Sequence, residues 1–195
     1  MKTLKHLLSP RKIALGALAT IGLLALAGCV VTSVYPYYTA KDVAFEPKLL
    51  GRWVDSDATN ETNKYWEFAR AGTNHYKLTI KNGDEVKEFQ AHFFRLKAWT
   101  FLDAMPLENH DDYIPPHYLL KVSQVEPALE MTALNHKWLD ELLEDHPGAL
   151  RHIYTAGPDG ERLVLAANTK ELQKFILKHV ANTNAFKEAF SMRRQ

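Results

Sequence analysis

His75-Tyr76-Lys77-Leu78-Thr79-Ile80-Lys81-Asn82-Gly83 is the stretch that decides the fold. Tyr76, Leu78 and Ile80 fall on one face, and His75, Lys77, Thr79 and Lys81 on the other. A period of two marks a strand with one buried face and one wet face. Asn82-Gly83 then supplies two residues that tolerate positive φ, the signal for a tight hairpin. The returning strand runs from Val86 to about Lys97. Along it Phe89, Ala91 and Phe93 share a face, after which Phe94 and Leu96 load the other. That switch predicts either a bulge near Phe93-Phe94 or a strand covered on both sides.

Strands with the same signature flank this hairpin. Leu49–Val54 and Lys64–Phe68 precede it; Trp99–Leu102, Tyr118–Glu126 and the alternating Leu129, Met131 and Ala133 follow. Between them, Ala104–Pro116 reads as a long loop, because Pro106, Pro115, Pro116 and its Asn and Asp residues oppose regular structure. At Asn135 the period changes. Trp138, Leu139, Leu142 and Leu143 make a helical stripe, ended by Pro147-Gly148. Arg151–Tyr154 and Arg162–Ala166 bracket Gly157-Pro158-Asp159-Gly160 as a late hairpin. Asn168 with Glu171 forms a capping box for a second helix carrying Leu172, Phe175, Ile176, His179 and Val180. A last short helix is expected around Phe186, Ala189 and Phe190. The class is therefore mainly β (α+β), an antiparallel β-barrel or strongly curved sheet with an inserted short helix and a C-terminal helix.

The N-terminus carries a different message. Lys2, Lys5, Arg11 and Lys12 precede an apolar run from Ile13 to Ala27, and small residues lead to Cys29. That order is a secretory signal. Leu26-Ala27-Gly28-Cys29 resembles the bacterial lipobox. The resemblance implies diacylglycerol on the Cys29 thiol and cleavage between Gly28 and Cys29. An uncleaved membrane helix is the other reading, since Ile13–Val31 holds 19 mostly apolar residues. Both readings attach the chain to membrane lipid. Val30 and Val31 follow the cysteine, with no Asp there, which in such lipoproteins points to the outer membrane, facing the periplasm.

These readings divide the chain into a signal (1–28), a lipid-anchored tether (29–47) and one domain (48–195). Without the signal, 167 of the 195 residues remain, enough for one core. Four of the 24 Lys and Arg lie before Cys29, which leaves 20 against 23 acidic residues, a net −3. That balance, without a basic aromatic run, excludes nucleic acid as a partner. Cys29 is the only cysteine, so disulfides, a thiol nucleophile and Cys metal sites are excluded in the exported domain.

Gly51-Arg52-Trp53 at the first strand resembles the G-x-W motif of lipocalins. The resemblance spans about Leu49–Val180 and implies an eight-stranded barrel, one end closed by Trp53 and the other open to an apolar ligand, with a helix after the last strand. The helix at Asn135–Asp145 departs from that pattern. The aromatic set Trp66, Phe68, Tyr76, Phe89, Phe93, Trp99, Phe101 and Tyr118 is then expected to line the ligand space, or to fill it as a solid core.

No residue reads as catalytic, no metal or other cofactor is implied, and the domain is read as a non-enzyme. Serines are few and none sits in G-x-S-x-G. His110, Asp111, Asp112 and His117 crowd one loop but match no metal-site spacing, so they read as exposed polar residues. Glu67 and Glu88 have nothing that brings them together. The expected function is a lipid-anchored envelope protein binding a small apolar or lipid-like molecule. The alternative is an envelope structural module with a filled core that binds a protein partner.

Overall fold

The computed structural model describes residues 31–58, 63–107, 114–157 and 160–195. The signal, Gly28, Cys29 and the loop residues His110, Asp111 and Asp112 lie outside the described residues. The described strands are β1 (Thr32–Ser33), β2 (Gly51–Asp55), β3 (Lys64–Arg70), β4 (Tyr76–Asn82), β5 (Glu85–Leu96), β6 (Trp99–Pro106), β7 (His117–Gln124), β8 (Ala128–Leu134), β9 (His152–Gly157), β10 (Gly160–Leu165) and β11 (Phe186–Arg194). The helices are α1 (His136–Asp145) and α2 (Thr169–His179), and a 3₁₀ turn spans Pro47–Leu49.

β2 to β8 pair each with the next, and β11 pairs with both β8 and β2, so eight antiparallel strands close a ring. The fold is an antiparallel β-barrel. Its strands follow one another up and down, except between β8 and β11. There the chain leaves the wall to build α1, β9, β10 and α2.

Alternation sorts the side chains into two cores. Trp53, Phe68, Tyr76, Leu78, Ala91, Leu102, Leu129 and Met131 point inward and pack as one buried cluster. On the outer wall Phe94, Phe101 and Leu119 pack under α1, α2 and the short sheet β1-β10-β9. This second layer explains the switch along β5. Its pairing with β6 runs from Phe89↔Pro106 to Leu96↔Trp99 without a shift, so the strand is covered on both faces and carries no bulge there.

The hairpin between β4 and β5 turns one residue later than the Asn-Gly signal. Asn82 pairs with Glu85, and only Gly83 takes positive φ, at 65°. A turn with positive φ at its first central position alone needs just one glycine. The expected helix at Phe186–Phe190 is instead β11. Its i, i+4 aromatics look helical locally, but barrel closure needs a partner for both β2 and β8. The C-terminal helix of the expectation is α2, which precedes the eighth barrel strand. Of the expected tether at 29–47, the described residues from 31 onward lie against the domain. Val31 and Tyr37 are buried, and β1 pairs with β7 and β10.

Trp53 closes one barrel end. Its indole Nε1 donates to the Leu49 carbonyl at 2.9 Å. The Arg194 guanidinium lies 4.6 Å over its ring and donates to the carbonyls of Leu50, at 2.6 Å, and Lys48. Gly51 has φ of 111°, and a Cβ there would stand 3.0 Å from Arg194 Nη1. The glycine of the motif is thus demanded by its backbone, and a side chain there would also press on the tip of Arg194.

Candidate functional site

Three places on the molecule gather chemistry. The first is the barrel interior toward the β4–β5 hairpin, starting at Trp66, which pairs with Trp53 across β2 and β3. Trp66 and Phe89 face inward there and are 5% exposed, beside the half-buried Tyr118 and Phe190. Trp66 meets Phe190 at 6.2 Å between ring centroids, and Phe89 meets Tyr118 edge-on at 6.1 Å. The Trp66 indole Nε1 is buried without an acceptor. A buried donor left unpaired costs about 1–3 kcal/mol.

Of the expected lining set, Trp66, Phe68, Tyr76, Phe89, Phe93 and Tyr118 do meet in the barrel interior. Phe68, Tyr76 and Phe93 lie deep and fill it. Trp99 and Phe101 do not join them. Leu102 and Ala104 are the inward residues of β6, so alternation turns Trp99 and Phe101 outward. Trp99 is 37% exposed, with the Lys121 ammonium 5.3 Å over its ring, and Phe101 stacks on Phe94 at 5.3 Å in the outer core.

The second place is a polar cluster on the same outward face of β6. Asp103 is fully buried there. Its Oδ2 accepts the Tyr37 backbone N–H at 3.0 Å, and its Oδ1 lies 2.8 Å from His117 Nδ1. A carboxylate oxygen accepts in such a pair, so Nδ1 carries the hydrogen. His92 pairs with Asp103 across the ladder, and Tyr38 Oη is 2.9 Å from His92 Nδ1. Burial holds the His92 imidazole below its ordinary range, with Asp103 pulling the other way. Burial, then the Asp103 charge, pushes the Tyr38 phenol up to about 12. From above, α2 completes the clasp. Gln173 Nε2 donates to the Tyr37 carbonyl and to Asp42, and Thr169 Oγ1 donates to the Pro36 carbonyl. These groups hold the lead-in segment against the barrel wall.

Sequence reasoning missed this cluster because it ended the strand at Leu102. Carrying the Trp99-Phe101 parity two residues further would have placed Asp103 among apolar neighbours and flagged it. His117, read as an exposed loop residue, begins β7 and is 9% exposed. Its strand partner Ser33 and the Asp103 carboxylate draw it inside. Among the described residues no three His, Cys, Asp or Glu side chains converge to hold a metal ion. Glu67 and Glu88 are each tied to a cation, Arg52 at 3.0 Å and Lys77 at 2.7 Å.

The third place is a cleft of about 460 Å³ between the end of α1, Leu150-Arg151 and one face of α2. His179 contributes to its wall, half-buried between the rings of Trp138 and Phe175. Comparison of the chain with protein-family models, curated proteins and solved structures gives no match.

Proposed function

We propose that this is a lipid-anchored protein of the bacterial envelope, cleaved before Cys29, acylated there and held at the outer membrane facing the periplasm. Its barrel holds a small apolar molecule with a hydrogen-bond acceptor, at the mouth, without catalysis. The observation that carries the ligand reading is the Trp66 indole N–H, buried and unpaired among mouth aromatics. A ligand carbonyl or ether oxygen would give it the acceptor it lacks. The lipocalin kinship rests on Gly51-Arg52-Trp53 opening a closed eight-stranded barrel.

Native mass spectrometry of the full chain, released from membranes in mild detergent, tests this. A solvent-extractable molecule co-purifies, and Trp66→Phe binds it about fivefold to tenfold more weakly, the worth of one hydrogen bond. An empty parent protein, or equal binding by the variant, overturns the ligand reading.

The lipid anchor has a separate test. Cys29→Ser abolishes palmitate labelling and leaves the precursor uncleaved on a gel. Normal cleavage in that variant sinks the proposal. Anchorage at Cys29 would place the acyl chains two residues from the buried Val31, within about 7 Å of extended chain. The barrel would then ride directly on the bilayer.

A second reading has its own observation. Trp53, Phe68, Tyr76, Leu78, Leu102, Leu129 and Met131 are at most 1% exposed, which leaves the deep half of the barrel solid. A barrel so filled suits a scaffold that binds an envelope protein, for example through the acidic face of α1 at Asp140, Glu141, Glu144 and Asp145.

A further inference from the structure

The cleft beside α2 combines two features that small-molecule sites share, an apolar floor and a few convergent charges. Its floor is Leu142, Leu150 and Phe175, of which Leu150 and Phe175 are buried. Its rim carries Arg151, Lys174 and Lys178, all exposed. Lys174 and Lys178 stand four residues apart and so share one helix face. Among the described residues no carboxylate lies within ion-pair distance of any of the three. Glu171 also lines the cleft, but its Oε2 accepts the Asn168 N–H at 3.1 Å in the capping box and is directed at the helix start. Three cations outside any ion pair, against the one carboxylate of Glu171, thus ring an apolar hollow.

We propose that this cleft binds an anionic amphiphile, its acidic head held by Arg151, Lys174 and Lys178 and its tail laid on Leu142, Leu150 and Phe175. Carboxylate and phosphate heads share the chemistry that guanidinium and ammonium groups recognise. The site lies outside the barrel and is independent of the ligand proposed for the mouth.

The test uses the full chain in phosphatidylcholine nanodiscs and a laurate bearing a terminal diazirine. Photolysis labels Leu142, Leu150 or Phe175, as read by peptide mass spectrometry. Excess laurate or dodecyl phosphate suppresses that label at least tenfold, and the stronger of the two names the head. Dodecyltrimethylammonium and inorganic phosphate leave it unchanged. The combined variant Arg151→Glu, Lys174→Glu, Lys178→Glu loses the label at least tenfold while its melting temperature stays within a few degrees. Should that variant melt early, Lys174→Gln with Lys178→Gln gives the same reading. No label in the cleft, label surviving the charge change, or suppression by inorganic phosphate or the cationic amphiphile overturns the proposal. Label at Tyr118 or Phe190 instead reports the barrel mouth and also overturns it.

Discussion

Trp53→Ala lowers the unfolding free energy by about 4–5 kcal/mol, at the upper end for an aromatic truncated in a core. Three losses coincide. The indole is fully buried, so its removal leaves a hollow at the closed barrel end. The Leu49 carbonyl loses its Nε1 donor. The Arg194 guanidinium loses the ring it covers. Guanidinium titration followed by circular dichroism measures the change as a lower midpoint with an unaltered slope. A cost under about 1 kcal/mol would mean that the end closes without Trp53. Against a total stability of about 5–15 kcal/mol, the expected loss leaves little of the fold in reserve.

Asp103→Ala destabilises by about 3–5 kcal/mol, as when one partner is removed from a buried pair. The Tyr37 amide and His117 Nδ1 are then left without their acceptor inside the protein. Asp103→Asn keeps one carbonyl oxygen and costs about 1–3 kcal/mol. Hydrogen exchange separates this from a general loss of stability. In Asp103→Asn the Tyr37 amide loses its protection before the amides of β3 and β4 do. Uniform loss across the barrel would show that Asp103 supports the wall and not the segment laid over it.

Much of the barrel was legible because alternation is a local signal. Tyr76-Leu78-Ile80 and Phe89-Ala91-Phe93 announce their inward face within one strand. The capping box of α2 was equally local, and both of its halves are present. What escaped depends on distant partners. Phe186 and Phe190 suggest a helix until β2 and β8 each need a neighbour. Tyr37 falls inside the expected tether at 29–47, and only Asp103, 66 residues beyond it, shows why its amide is held on the barrel. Trp99 and Phe101 suggested a ligand lining on composition alone, and only the parity of β6 turns them away. For the candidate sites, the aromatics at the mouth were visible as residues, while the unpaired Trp66 donor and the cationic cleft emerge only from the assembled neighbours.

The barrel locks when β11 slips between β2 and β8, strands that lie more than 130 and more than 50 residues before it. Until residues 186–194 have been synthesised, β2 and β8 each keep one edge open. A nascent chain in that condition has no finished wall and gains little by folding early. The pairing of β11 therefore sets the moment at which the wall can close, after both of its partner strands have been made.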